Sequence, residues 1–267
     1  MILIQMIPSD NRAITSAKIF LEKYFISDPS ELNLIDILGC ENILYKEIKL
    51  HSCQGNLIRQ NNYGIINVNS SINNINKKRF IISHELGHWV MHKEKLLFTC
   101  YPEDITTYLN KSTGLEREAN VFASEFLLPT KVFQESCKRV SFSFDLLSSL
   151  SEKYKVSLTT ASIKYCDFGS TPVALLFCKN NVVEWRSFSS RFPFRFMGSK
   201  DLIPEKTLTS KFFESKIFVL ETETHLAKTW FKKDPRVKPD QYLNEMVLPM
   251  PKIQACLTYL WEYNLPG

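Results

Sequence analysis

The sequence predicts an α+β fold, in which helices and strands occupy separate parts of the chain. Two observations indicate it. Apolar residues recur at helical spacing in long segments of the N-terminal half, and short runs rich in Ile and Val lie between these segments and again beyond residue 169. The 267 residues, 44% of them hydrophobic, suffice to bury one large core or two to three small ones. A disordered or fibrous class is therefore excluded.

The N-terminal segment is predicted to contain two helices followed by two strands. Apolar residues have helical spacing over residues 16–25, and a second helix is expected over residues 32–38, ending at Gly39. Residues 43–50 and 64–68 are bounded by Asn and Gly, which is typical of strands. The chain therefore begins as a mixed structure.

Two longer helices are expected over residues 77–92 and 115–128. Pro129 ends the second of them, because proline cannot continue the hydrogen-bond ladder of a helix. Residues 99–114 are polar and rich in Thr and Tyr, and they are predicted to form a loop between the two helices.

The rest of the chain divides into a helical and a β-type part. Helical runs at residues 145–154 and 158–165, joined by a tight connection, outline a helix-turn-helix. Residues 173–178, 182–188 and 246–248 have β-type sequence. We therefore predict three parts, at residues 1–130, 131–168 and 169–267.

Composition and charge favour a cytoplasmic protein without a membrane segment. Seven cysteines without any CxxC pair indicate free thiols in a reducing compartment. The N-terminus lacks the features of a secretory signal, and every apolar stretch is far shorter than the roughly eighteen residues that cross a bilayer. The net charge of +5 is spread along the chain, so the basic groups at residues 77–79 and 232–233 are interpreted as solvated faces.

The predicted helix at residues 77–92 contains a metal-binding pattern, HExxH, formed by His84, Glu85 and His88. Residues four apart lie on the same face of a helix, so both imidazoles can reach one tetrahedral ion. Glu85 is rotated by about 100° from His84, where it can contact a water on that ion without binding the ion itself. Five-residue matches also occur by chance in helices where the histidines only pack. A catalytic zinc site usually has three protein ligands, so a third ligand is needed besides the two histidines.

The third ligand has to come from farther along the chain. A metzincin would have another His six residues after His88, but that position is Glu94. On the helix at 115–128, Glu116 could bind the metal while Asn120, four residues on, forms a hydrogen bond to a metal ligand. Glu118 is the alternative ligand if the helix is rotated.

The two segments together resemble the ImmA/IrrE family of metallopeptidases. The chain has RFIISHELGHWVMH followed by LEREANVFASEFLLP, and the family pattern is a HELGH helix and then ExxA(N/D)xFAxxLLxP. The residues in step with the second pattern are Ala119, Phe122, Ala123, Leu127, Leu128 and Pro129. The resemblance implies a zincin-like domain that binds one zinc ion, with Mn²⁺ as the alternative metal. It assigns the ligands to His84, His88 and Glu116 and the catalytic role to Glu85.

The resemblance also implies an architecture and a substrate. Residues 64–69 would form a cleft edge where an extended substrate pairs, or else an ordinary buried strand. The IrrE branch is similar in having a helical middle segment and a GAF-like α/β C-terminal domain. The resemblance therefore implies a GAF-like domain at residues 169–267. Many relatives carry an N-terminal DNA-binding domain, which we do not expect in this chain. The implied substrate is a helix-turn-helix transcriptional repressor of the XRE type, whose cleavage relieves repression during stress.

Several other residues leave alternatives open. His92 has either a packing role or a hydrogen bond to a metal ligand, and Gly87 indicates either substrate access or tight packing. Isolated His51 and His225 are interpreted as surface or core residues. Three tyrosines could stabilise the oxyanion, and the sequence does not choose among Tyr101, Tyr108 and Tyr165.

Two other classes of function compete with the peptidase. The chain could be a non-hydrolytic, metal-bound protein that sequesters its partner, or a toxin-like regulator, but such a binder has no need of Glu85 as a base. It could also bind DNA through the middle helices, yet the second of these offers only Lys164 as a cation, so we favour a structural bridge. We expect a protein substrate and no direct nucleic-acid ligand.

Overall fold

The computed structural model describes residues 8–100, 114–197, 201–215 and 221–263. Within these ranges it has nine α-helices and nine strands arranged in two sheets, so the predicted α+β class is confirmed. The chain divides into two compact units. One comprises the described residues up to Ser136 together with Ser148–Ala161, and the other comprises Cys137–Leu147 and the described residues from Ser162 onward. The predicted three-part division stays a prediction.

The first unit begins with helix α1 (Pro8–Lys23) and helix α2 (Leu34–Cys40). The strands β1 (Ile43–Ile48), β2 (Gly55–Gln60), β3 (Tyr63–Asn69) and β4 (Leu97–Cys100) form a sheet in the order β1-β3-β2-β4. β3 is parallel to β1 and antiparallel to β2, and β2 is antiparallel to β4.

The helices α3 (Ile75–Met91) and α4 (Leu115–Leu127) carry the predicted metal-binding motifs. The side chain of Asn74 accepts a hydrogen bond from the backbone N–H of Lys77, which caps the start of α3. α3 packs against β2, β3 and β4 on one side and against α4 on the other, and α1 packs on α4. The motif helix therefore lies between the sheet and the helical layer.

The helical segment that follows has three helices, α5 (Thr130–Cys137), α6 (Phe144–Lys153) and α7 (Leu158–Phe168). The last two correspond to the predicted helix-turn-helix, and the boundary between the two compact units falls within each of them. α5 was not predicted as a separate helix.

The second unit contains an antiparallel five-stranded sheet in the order β6-β5-β9-β8-β7. Its elements are β5 (Val173–Lys179), β6 (Val182–Phe188), α8 (Leu208–Ser215), β7 (Thr222–Leu226), α9 (Ala227–Trp230), β8 (Tyr242–Met250) and β9 (Ala255–Glu262). Phe192, Phe194 and Phe231 are fully buried in its core. The GAF-like identity of this unit stays a prediction.

Three predictions about the first unit are corrected by the structure. Residues 64–69 do not form a cleft edge, because β3 is paired on both sides, by β1 and by β2. They are the ordinary buried strand that was the alternative. Arg79 is not part of a solvated basic face either, since it is buried and donates hydrogen bonds to the carbonyls of Pro29 and Leu32. Gly39 lies within α2, which continues to Cys40.

Other features agree with the sequence. All seven cysteines are free thiols, and six of them are buried. Among the described helices, none has the length and apolar character needed to cross a membrane.

Candidate metal centre

α3 places both predicted histidine ligands on its buried face. His84, Glu85 and His88 are each fully buried, because this stretch of α3 lies between the sheet and α4. The four-residue spacing brings the two imidazoles one turn apart, and His84 Nε2 lies 3.1 Å from His88 Nε2. The two ring nitrogens therefore point at a common position.

α4 supplies the carboxylate that completes the group. Glu116 Oε2 lies 3.1 Å from His84 Nε2 and 3.4 Å from His88 Nε2. The side chain of Glu116 is 29% exposed, whereas the two histidine rings are buried. The group is thus reached from solvent on the Glu116 side.

The separations and the chemistry of these three groups fit a tetrahedral metal ion. Ligand atoms about 2.0–2.1 Å from a shared zinc ion are themselves about 3.3 Å apart, close to the three measured distances. Two imidazole nitrogens and one carboxylate oxygen are also the donor set of many catalytic zinc sites, which leave a fourth position open. The residues present therefore fit the ion that the sequence pattern predicts.

The outer nitrogen of His84 has the partner that the sequence suggested. Asn120, one turn after Glu116, is fully buried, and its Oδ1 lies 2.8 Å from His84 Nδ1. With the amide oxygen in this position, Nδ1 of His84 donates the hydrogen bond. In a neutral ring the lone pair then lies on Nε2, the atom that faces Glu116.

Glu118 is not placed as a ligand of this group. It points away from Glu116, and its Oε2 lies 2.9 Å from His92 Nε2 and 3.5 Å from Arg12 Nη1. His92 in turn lies against the outer nitrogen of His88, with 2.9 Å between the two Nδ1 atoms. His92 therefore contacts a predicted ligand through a hydrogen bond, one of the two alternatives that the sequence left open.

Glu85 lies beside the three-residue group. One of its carboxylate oxygens, a ring nitrogen of His84 and the thiol of Cys100 all lie within 4.8 Å of one another. Gly55 on β2 faces it, since a Cβ built there would be 3.3 Å from Glu85 Oε1. A buried carboxylate at this place could exchange a proton with a group bound next to His84.

The surroundings tune the charges of the predicted ligands. Burial lowers the pKa of His88 to about 4, which keeps the ring neutral at physiological pH and its lone pair available. Burial opposes ionisation of Glu116, but the hydrogen bonds to His84 and His88 outweigh it and hold the pKa of this carboxyl well below its usual range. The pKa of His84 is raised, because Glu116 and the charge of Glu85 outweigh burial.

Residues 40–164 match the family model described as IrrE N-terminal-like domain, a metallopeptidase-type model. This range spans both motif helices and all three predicted ligands. This segment is similar to the IrrE N-terminal-like domain.

A solved structure of a protein with little sequence similarity has a similar fold. A Mycobacterium tuberculosis transcriptional regulator superposes with a TM-score of 0.55, covering 94% of this chain and 88% of the regulator. The two sequences are only 10% identical, so the likeness is one of fold. Among curated protein sequences, none matches the chain significantly.

Two of the tyrosines considered for the IrrE-like site, Tyr101 and Tyr108, lie outside the described residues, as does most of the predicted loop at 99–114. The third, Tyr165, is fully buried, and its hydroxyl lies 3.2 Å from the hydroxyl of Ser170. Lys164 is buried as well, with its Nζ 4.9 Å from the centre of the Phe168 ring.

Three residues of the site were missed by the sequence reasoning. Phe98 stacks on the ring of His88 with 3.9 Å between ring centres, Cys100 lies beside Glu85, and Gly55 leaves room for Glu85. They lie on β2 and β4, the two strands of the first unit that were not predicted. A signal existed only in the short alternating run Leu97–Cys100, which is too brief to predict a strand.

Proposed function

We propose that this protein is a zinc-dependent endopeptidase of the ImmA/IrrE type that binds one zinc ion per chain. The observation that carries the proposal is the convergence of His84 Nε2, His88 Nε2 and Glu116 Oε2, with distances of 3.1 to 3.4 Å. Imidazole ligands suit zinc, which supports it over Mn²⁺, the alternative metal.

The chemistry follows from the residues around the proposed ion. When bound, zinc supplies Lewis acidity, which lowers the pKa of a bound water from about 15.7 toward about 7 and polarises the scissile carbonyl. Glu85 accepts a proton from the attacking water and passes it to the leaving amine. His84, His88 and Glu116 would hold the ion, and Asn120 fixes the ring of His84.

Metal content tests the ligand set. Purified wild type should contain about one zinc per chain by plasma mass spectrometry, and His88→Ala and Glu116→Ala should lose most of it. Glu125→Gln is the matched comparison from the same helix, because the buried carboxylate of Glu125 accepts a hydrogen bond from the backbone N–H of Thr130 and is not one of the proposed ligands. Full zinc retention in Glu116→Ala would contradict the proposed set, and a zinc-free wild type would remove the basis of the peptidase proposal.

The role of Glu85 separates a peptidase from a non-hydrolytic binder. Glu85→Gln should keep zinc and lose activity by about 10²–10⁴-fold, as expected for removal of a general base. The comparison is made on one protein substrate under single-turnover conditions. If Glu85→Gln stays fully active, the assignment of the base is wrong.

We further propose that the substrate is a helix-turn-helix transcriptional repressor and that cleavage relieves repression. The match of residues 40–164 to the IrrE N-terminal-like domain supports this, and the solved protein of similar fold is a transcriptional regulator. The free thiols are compatible with action in the cytoplasm. Incubation of wild type and Glu85→Gln with the repressor encoded nearest to the gene tests it. A single cut found by intact-mass spectrometry only with wild type would support it, and an intact repressor in both would count against it.

A further inference from the structure

The buried face of His88 that points away from Glu116 is occupied by a chain of polar groups. His88 Nδ1 lies 2.9 Å from His92 Nδ1, and His92 Nε2 lies 2.9 Å from Glu118 Oε2. All three side chains are buried. Buried polar groups at these distances are hydrogen-bonded, so each contact must contain one hydrogen atom.

The position of each hydrogen follows from the carboxylate at the end. A carboxylate of Glu118 only accepts, so the hydrogen in the second contact is on His92 Nε2. A neutral His92 ring has a single ring hydrogen, and the contact with Glu118 places it on Nε2. His92 Nδ1 then carries a lone pair and accepts, so the hydrogen of the first contact is on His88 Nδ1. A neutral His88 with its hydrogen on Nδ1 has its lone pair on Nε2.

We propose that Glu118 and His92 are positioning residues, which hold His88 in the tautomer and orientation that binds the metal. This inference rests on the proposed zinc site. A carboxylate or carbonyl partner on the outer nitrogen of a ligand histidine orients the ring and makes it a stronger donor. Here the carboxylate acts on His88 through an intervening imidazole, whereas the amide of Asn120 acts on His84 directly.

Two neighbouring residues hold the relay, the chain of contacts from Glu118 through His92 to His88, in place. Arg12 lies near Glu118, with 3.5 Å between Nη1 and Oε2, and donates a hydrogen bond from Nη2 to the carbonyl of Met91. On β4, the Phe98 ring stacks on His88 and restricts its rotation. The helix α4 therefore supplies three groups in succession: Glu116 to the inner nitrogens, Glu118 to the relay and Asn120 to His84.

His92 is not a further ligand of the same ion. Its Nδ1 faces Nδ1 of His88, which is the nitrogen on the opposite side of the ring from the Nε2 that contacts Glu116. Its Nε2 faces Glu118. Both of its ring nitrogens are thus engaged away from the ligand group.

Zinc affinity and the tautomer of His88 test the proposal on the full chain. The variants are Glu118→Leu and His92→Phe, which remove the relay, and Glu118→Gln, which keeps an acceptor oxygen. Glu125→Gln is the control, because Glu125 is a buried carboxylate on the same helix whose Oε1 accepts from the backbone N–H of Thr130, 3.0 Å away. Zinc dissociation constants are measured by competition with a chelator, and thermal unfolding checks that each variant folds.

The tautomer is measured without metal, from nitrogen-15 spectra of the histidine rings in metal-free protein. Wild-type His88 should have its hydrogen on Nδ1, and Glu118→Leu should populate the form with the hydrogen on Nε2. Glu118→Leu and His92→Phe should bind zinc about 10–100-fold more weakly than wild type. Glu118→Gln should recover most of the affinity, and Glu125→Gln should retain all of it.

The outcomes separate this inference from the proposed function. Wild-type affinity in folded Glu118→Leu and His92→Phe would overturn the relay and leave the zinc site standing. His88 with its hydrogen on Nε2 in wild type would also overturn it. Absence of zinc binding in wild type would instead overturn the proposed function and, with it, the inference that rests on it.

Discussion

At the residue scale, the backbone at Gly55 beside the site has no room for a larger residue. A Cβ at Gly55 would lie 2.5 Å from Ile81 Cγ2, 3.2 Å from the carbonyl oxygen of Asn67 and 3.3 Å from Glu85 Oε1. Ile81 is fully buried and cannot swing into solvent. Gly55 therefore keeps β2 close to α3 and leaves Glu85 its place.

Gly55→Ala should consequently lower both stability and activity. Overpacking of this kind costs about 1–3 kcal/mol in the free energy of unfolding, measured by urea denaturation. Gly39→Ala is the control, because nothing lies within 4 Å of a Cβ at that helical position. It should stabilise the protein by about 0.5–1 kcal/mol. Equal stability of Gly55→Ala and wild type would show that Ile81 can move aside.

At the scale of elements, Gly87 decides how closely α3 and α4 approach. A Cβ at Gly87 would lie 3.1–3.2 Å from three atoms of Phe122. Phe122 is fully buried and stacks on Phe126, so it has little room to move. Of the two interpretations made from the sequence, tight packing is the one that the structure supports.

Gly87→Ala should destabilise the protein by about 1–3 kcal/mol, even though alanine is favoured over glycine in a helix by about 1 kcal/mol. The double variant Gly87→Ala/Phe122→Leu provides the space that the new methyl group needs. In thermal and urea unfolding, the two substitutions together should therefore cost less than the sum of the two single costs. Strict additivity would contradict direct contact between the positions.

In the second unit, the carboxylate of Asp234 joins two separate segments of the chain. The buried Asp234 carboxylate accepts hydrogen bonds from the Arg236 side chain and from the backbone N–H groups of Arg195 and Phe196. These contacts, that of Arg236 first, hold the pKa of Asp234 well below its usual range. Because the pKa of Asp234 is lower in the folded than in the unfolded state, ionised Asp234 stabilises the folded state. This stabilisation is complete above the unfolded pKa of about 3.9 and is lost as the pH falls below it.

Stability should therefore drop on acidification below about pH 4, and Asp234→Asn should show a smaller drop in that window. The measurement is the free energy of unfolding in urea as a function of pH. Because Asn retains one acceptor oxygen but no charge, the variant should be less stable than wild type at neutral pH. Parallel pH profiles for the two proteins would mean that Asp234 does not contribute to the acid dependence.

At the scale of the whole molecule, the candidate metal centre belongs entirely to the first of two compact units. A ligand that binds only the folded state stabilises the part of the protein that forms its site. The proposed ion links α3 to α4 and has no described ligand in the five-stranded sheet of the second unit.

Chelation should thus act locally. Removal of zinc is expected to speed amide hydrogen exchange in α3 and α4 by about tenfold or more, with β5, β8 and β9 unchanged. Exchange measured by mass spectrometry with and without a chelator tests this, and the His88→Ala variant, treated alike, controls for effects of the chelator itself. Equal acceleration in both units would contradict a local effect.

The sequence by itself determined the parts of the site that depend on helical periodicity. The positions of α3 and α4 were predicted to within two residues at each end, because apolar spacing and Pro129 act within a single helix. The spacing of His84 and His88 on one face, and of Glu116 and Asn120 on another, follows from the same local geometry.

Only the tertiary structure decided what meets these faces. The rotation of α4 about its axis turns Glu116 toward the histidines and Glu118 toward His92, a choice left open by the sequence. The pairing of β3 on both sides and the positions of Gly55 and Phe98 likewise depend on contacts between residues far apart in the chain. Strand pairing and helix rotation are set by packing over the whole core, which no local pattern encodes.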